Sequence, residues 1–195
     1  MKKVKNLQTG TGNSLYEEEK GTMKKILVSA LTLLLLCAVG SPTTAMTLEQ
    51  AKKQQVEAAL KGPHGQQIKT SVSKYSKQYG VDEKLIHAII LTESGYNPKA
   101  VSVCGATGLG QLMPSTFKAR NVGSNIYDID QNTHATVKHY AGLLARAKGN
   151  PYIALAAYNA GFGYIDKYKG QVPPSIKPYV NKVMYHKKIM DSVTF

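Results

Sequence analysis

Acidic residues are scarce in this chain: Asp and Glu total 12 against 25 Lys and Arg over 195 residues, a formal net charge of +13. That excess predicts attraction to a polyanion, be it nucleic acid, anionic lipid or wall polymer, and charge alone does not choose among these and a merely solvated basic surface. Cysteine is nearly absent, with Cys37 and Cys104 the two present. No clustered His/Cys ligand set exists, so neither a metal nor another cofactor is expected. Low-complexity tracts and internal repeats are missing and strand signals are few, which leaves helices to build the fold. The length suits one domain and hardly two.

Long hydrophobic runs are also missing, with one exception. Ile26–Val39 is an almost unbroken apolar run of 14 residues behind Lys24 and Lys25, followed by Gly40-Ser-Pro-Thr-Thr-Ala45. A bilayer span needs about 20 apolar residues. The pattern instead reads as a secretory signal over residues 23–45, cut after Ala45, with an uncleaved membrane anchor as the alternative reading. Residues 1–22 are then a polar leader or a misassigned start, with Met23 as the working one. Leu36 before Cys37 argues against lipidation. Removal of the signal leaves Cys104 alone, without a disulfide partner, as a small, partly buried residue. Beyond residue 45 there are still 19 Lys and Arg against 9 Asp and Glu, so the basic character belongs to the exported part.

Helical signals then follow in order. Thr47-Leu-Glu-Gln50 is a capping box for a helix to about Leu60, broken at Gly62-Pro-His-Gly65. Ile68, Val72, Tyr75 and Tyr79 recur at helical spacing up to a stop at Gly80. Asp82 starts a third helix with Leu85, Ile86, Ile89 and Ile90 on one stripe and His87 on its solvated side. Gly108–Met113 is expected as a short helix, with another from Pro114 to about Arg120. Asp130 is expected to cap a helix to about Lys148. Asn150-Pro151 opens the next, loosened by Gly161 and Gly163. Pro173-Pro174 marks a turn, and Lys177–Met190 forms the last amphipathic helix. The pattern is all-α in one domain: an N-terminal helical extension over 46–68, then the main domain over 69–195.

One carboxylate in this frame stands out. Glu93 lies four residues after Ile89 and three after Ile90, at the edge of the apolar stripe. Desolvation there would raise its pKa and keep a proton ready for donation. Thr92 and Gly95 end the helix at that point and place the acid at a cleft wall. On spacing alone, an ion-paired or surface glutamate is the commoner outcome. Glycosidases usually employ two carboxylates, yet Asp128 and Asp130 are explained by helix capping and Asp166 sits in a Lys/Tyr-rich surface stretch. A single acid fits a mechanism in which the substrate supplies the nucleophile.

Three segments carry a resemblance: Glu93-Ser-Gly-Tyr-Asn-Pro, Gly105-Ala-Thr-Gly-Leu-Gly-Gln-Leu-Met-Pro114 and Ala157-Tyr-Asn-Ala-Gly161. In this order and spacing they are similar to the catalytic domain of the soluble lytic transglycosylases, lysozyme-like enzymes that cut bacterial peptidoglycan. The likeness runs from about Lys69 to the end. It implies an all-helical lysozyme-like fold with Glu93 as the catalytic acid. It also implies that Ser94 orients that acid, that Ser102 stands near the reacting sugar and that Gln111 and Met113 line the cleft. Tyr158 and Asn159 become a phenol near the acid and an amide for an N-acetyl sugar, and Tyr179 a late tyrosine facing the same acid. Gly110 stands where the family pattern has methionine.

The implied substrate is the glycan strand of peptidoglycan and the implied place the periplasm or cell envelope, with a membrane met only through the signal. A secretion, conjugation or pilus apparatus is the implied partner. Nucleic acid is not, since no recognition motif accompanies the charge. The same scaffold could instead carry a goose-type-like muramidase that consumes water, or a catalytically dead module that binds wall for a secretion machine.

Overall fold

The computed structural model describes residues 46–193; the signal, its polar leader and Cys37 lie outside the described residues. Eight helices are found among these residues: α1 (Leu48–Lys61), α2 (Gly65–Tyr79), α3 (Glu83–Ser94), α4 (Pro114–Arg120), α5 (Ile129–Arg146), α6 (Pro151–Ala160), α7 (Phe162–Lys167) and α8 (Lys177–Asp191). None is long and apolar enough to cross a membrane.

The helix ends follow the capping chemistry of the sequence. Thr47 Oγ1 accepts from the Gln50 N–H while Gln50 Oε1 accepts from the Thr47 N–H, a reciprocal pair at the start of α1. The corner into α2 is so tight that a Cβ on Gly65 would lie 2.1 Å from the Leu60 carbonyl oxygen. Asp82 caps α3 through the amides of Lys84 and Leu85, and Gly95 closes it in the left-handed region at φ 59°. The 68/69 boundary expected from the sequence falls inside α2, and Val56 and Leu60 of α1 share one core with the rest.

The centre of that core is α3, in which every residue from Leu85 to Leu91 is buried. A helix apolar nearly all round is one enclosed by neighbours; α2 packs on it from one side and α8 from another, while α2 also lies along α5. His87 is therefore fully buried rather than solvated, with Nδ1 3.1 Å from the Tyr96 hydroxyl. Burial, reinforced by the charge of Lys69, pushes its pKa down to about 3, so it stays neutral. The apolar stripe alone did not disclose this, because a seven-residue enclosure leaves no solvated side.

Other expectations change for local reasons. Residues 108–113 form no helix: Gly108 at φ 78° and Gln111 at φ 47° are left-handed, and Thr107 instead bridges to Val101 on one side and Leu112 on the other. Asp128, not Asp130, caps α5, accepting from the Gln131 amide. Asp130 is free to bind α2, accepting from Ser71 Oγ at 2.7 Å and Tyr75 OH at 2.6 Å. Burial pushes its pKa up, but these two hydrogen bonds and nearby Lys74 outweigh that and leave it lowered. Gly161, at φ 76°, does end α6, but a short extra helix, α7, starts directly after it. Cys104 is exposed on the loop that carries these bridges, not partly buried.

Candidate active site

The end of α3, the 95–112 loop, α4, α5 and α6 together enclose a cleft of about 320 Å³ lined by Glu93, Ser102, Ala106, Gln111, Leu112, Met113, Thr116, His139, Tyr158 and Asn159. Glu93 is the single carboxylate among these residues. Asp128 and Asp130 lie at the far end of α5 and do not line it, and Asp166 pairs with Arg146 on the surface at 3.0 Å.

The acid is held from behind. Tyr179 donates its phenolic hydrogen to Glu93 Oε1 at 2.6 Å, and Oε2 has no described partner. Burial raises the Glu93 pKa above its ordinary value, opposed by the Tyr179 hydrogen bond and by the charge of Lys182. The bond and the cation favour the carboxylate and burial favours the acid; burial wins. The side chain that faces the cleft thereby keeps its proton to a higher pH than an ordinary glutamate does. A second bond crosses the same two helices: Thr92 Oγ1 lies 2.8 Å from His186 Nδ1 and donates its hydrogen to the Ala88 carbonyl at 2.7 Å. Its oxygen must then accept, so Nδ1 of His186 carries the hydrogen. Burial, with Lys182 and Lys52, pushes the His186 pKa down to about 4 and keeps that ring neutral.

The opposite wall is a loop stitched by one asparagine. Asn132 is buried, accepts from the Gly110 amide at 3.0 Å and donates to the carbonyls of Thr107 at 3.3 Å and Ile126 at 2.8 Å. A Cβ on Gly108 would lie 2.3 Å from its Nδ2, so the asparagine and the left-handed glycine require each other. At Gly110 a Cβ would lie 2.0 Å from Thr136 Oγ1 and 2.8 Å from the Tyr158 hydroxyl. Where the family pattern has methionine, the space here belongs to Thr136, and the local packing closes around glycine.

Each candidate side chain has a place in this frame. Tyr158 lines the cleft and donates to the Gly110 carbonyl at 2.7 Å, with its pKa raised well above the ordinary value by burial and by the charge of Glu93. Gln111 donates both amide hydrogens to the carbonyls of Ala100 and Gly108, each at 3.1 Å, which leaves Oε1 as its unused acceptor. Ser102 Oγ accepts from the Ala106 amide at 3.0 Å and keeps its own hydrogen for another acceptor. Asn159 is exposed at the cleft with no hydrogen bond to a described residue, and Met113 stands at the rim, 44% exposed. Ser94 does not join them: it donates to the Ile90 carbonyl of its own helix at 3.1 Å and lines no part of the cleft. Thr116, His139 and Asn132 were not singled out from sequence. Asn132 was findable, since Asn132, Thr136 and Tyr140 recur every four residues along the inward face of α5; His139 falls at i+7 from Asn132 on that face, but spacing alone does not separate a cleft wall from a core contact.

Comparisons with known proteins follow the same outline. The family model described as the transglycosylase SLT domain matches residues 70–178. A transglycosylase of Enterobacteria phage PRD1 is 38% identical over 91 residues, 47% of this chain and 34% of that protein. The membrane-bound lytic murein transglycosylase C of Actinobacillus succinogenes is 32% identical over 111 residues, 48% of this chain and 31% of that protein. The chain thus spans about a third of the length of the curated relatives it matches. Among solved structures, the 70-kDa soluble lytic transglycosylase of Escherichia coli shares the fold with a TM-score of 0.61 at 18% identity, over 76% of this chain and 31% of that one. An inactive mutant of the lytic transglycosylase Slt from Pseudomonas aeruginosa gives 0.59 at 24% identity, over 67% of this chain and 24% of that one.

Proposed function

Since the chain belongs to the transglycosylase SLT family, we propose that it is a peptidoglycan lytic transglycosylase, cutting the β-1,4 bond between N-acetylmuramic acid and N-acetylglucosamine without consuming water. The observation that carries this reading is the lone Glu93, part of the cleft lining and bonded to Tyr179, with burial shifting its pKa upward.

The chemistry follows from that side chain. Glu93 gives the proton on its free oxygen to the bridging oxygen, and the bond from that oxygen to the muramic C1 breaks. Positive charge builds at C1, aided by the 2-acetamido oxygen. The C6 hydroxyl of the same sugar closes on C1 and returns its proton to Glu93, giving a 1,6-anhydro end. One group acts as acid and then base, so no partner carboxylate is required. Tyr179 stabilises the carboxylate in the intermediate state, Asn159 and Gln111 offer an amide and a carbonyl oxygen to the N-acetyl sugars, and Ser102 offers a hydroxyl. Ser94, bonded back into α3, supports the helix end that presents the acid.

The test is product mass from purified wall digested with residues 46–195. Each new anhydro end lacks one water relative to a reducing end; recovery of reducing ends alone would establish a muramidase instead. Glu93→Gln should lower turnover by about 10²–10⁴-fold, and equal clearing by variant and wild type would establish a binding module. The secretory pattern of residues 23–45 and the likeness to membrane-bound lytic murein transglycosylases support a site of action in the cell envelope. A catalytic domain behind such a leader suits local wall opening for a secretion, conjugation or pilus apparatus. A reporter fused after residue 45 should be exported, and deletion of the gene should reduce assembly of that apparatus while leaving growth intact.

A further inference from the structure

Two neighbouring side chains, one in the cleft lining and one just outside it, are used neither by the fold nor by the proton transfer. His139 lines the cleft, its ring tilted against Tyr158 with centroids 5.3 Å apart, and neither of its ring nitrogens makes a hydrogen bond to a described residue. Arg120 is the last residue of α4. It falls one helical turn, four residues, beyond Thr116, so it continues the face by which Thr116 enters the cleft wall. Its backbone is fixed against α5 immediately beside His139, because Lys138 Nζ donates to the Arg120 carbonyl at 2.8 Å. Among the described residues Arg120 has no ion pair, and its Nε is shielded from solvent without an acceptor.

A guanidinium is costly to desolvate in part and leave unpaired, and a carboxylate is the acceptor that its planar fork fits. The imidazole beside it stays neutral: burial, then the charge of Arg120, pushes the His139 pKa down to about 4. A neutral ring supplies one N–H donor without a second positive charge. We propose that Arg120 and His139 form a carboxylate-recognition subsite of the glycan cleft, reading an acidic group carried on the muramic sugar. The inference rests on the glycan reading of the cleft and adds substrate selectivity to it. Two sources share that chemistry: a side carboxylate of the stem peptide, or the lactyl carboxylate exposed once the stem has been removed. Homopolymers of N-acetylglucosamine carry neither.

The test measures binding on a Glu93→Gln background, so that turnover does not intervene. Three oligosaccharides of equal length are compared by calorimetry: stem-bearing glycan, stem-free glycan with free lactyl groups, and chito-oligosaccharide. An acidic ligand should bind more tightly than the neutral one, and Arg120→Gln should reduce that preference about tenfold, with Arg120→Lys in between. His139→Phe should reduce it by a smaller factor. Whichever acidic ligand loses its advantage identifies the source. The unaltered subsite gives an independent readout, since the preference should shrink as salt is raised from low to high concentration. No preference at low salt, or a preference that survives Arg120→Gln intact, overturns the proposal. A wall digest without anhydro ends would defeat the lyase reading alone, because the binding preference is measured without turnover.

Discussion

At Glu93, opposing terms meet on one carboxyl, and each can be removed separately. The Tyr179 hydrogen bond favours the ionised form, while burial favours the protonated one. Tyr179→Phe should therefore push the Glu93 pKa further up, and the fall of kcat/KM with rising pH should move to higher pH. A profile that stays put, or moves down, would mean that the phenol does not act on this acid. The same raised pKa has a signature in stability. The native state holds the Glu93 proton at a pH where the unfolded chain has released it, so the native state binds more protons and loses stability as pH rises through that window. Glu93→Gln removes the titration. Its melting temperature should match that of the wild type well below the ordinary glutamate pKa and exceed it increasingly toward neutrality.

Gly110 makes a second prediction at this scale. A Cβ there meets Thr136 Oγ1 at 2.0 Å, so Gly110→Ala should cost about 1–3 kcal/mol through overpacking. Thr136→Ala removes the nearest clashing atom, and the double variant should recover part of the loss in a denaturant cycle, the contact with the Tyr158 hydroxyl at 2.8 Å remaining. Additive losses would show that the two positions do not compete for one space.

Between elements, the pairing of α3 with α8 decides whether the acid meets its tyrosine. His186 and Tyr179 are seven residues apart on α8 and so lie on one face, and each bonds to a neighbouring residue of α3, Thr92 and Glu93. His186→Phe should loosen that seam, lowering the melting temperature and kcat together. His186→Asn, whose amide N–H can stand where Nδ1–H stood, should restore part of both. Loss of stability with kcat unchanged would confine His186 to packing.

The same elements show how much was legible in the residue order. Helices announced by caps and stops — Thr47 with Gln50, Asp82, Gly80, Asn150 with Pro151 — appear where those residues stand, because their chemistry is local. Of the eight side chains that the resemblance names, the fold brings seven to the candidate cleft or its acid, and Ser94 is the one that turns away. What escaped was non-local. The enclosure of His87, the Asn132 stitch that holds residues 108–112 out of a helix, and the place of His139 all depend on segments distant in the chain, which periodicity within one helix does not report.

For the molecule as a whole, the excess positive charge spread over the surface adds a second mode of contact with the wall to that of the cleft. The ion pairs among the described residues are surface pairs such as Arg146–Asp166 and Lys187–Asp191, each worth about 0–1 kcal/mol, and they leave most lysines uncompensated. Beyond residue 45, 19 Lys and Arg face 9 Asp and Glu, so the protein should dwell on anionic wall polymer through a field far larger than the single Arg120 charge offered at the cleft. That field is screened: the Debye length falls from about 10 Å at 0.1 M salt to about 3 Å at 1 M. Sedimentation with purified walls should therefore show retention falling several-fold between those concentrations. Turnover of a short, soluble glycan, which spans only the cleft and meets at most the one Arg120 charge, should fall less steeply. Equal salt sensitivity in the two assays would place the electrostatic attraction inside the cleft rather than on the surface around it, and salt-independent retention would remove any role for the net charge in finding the wall.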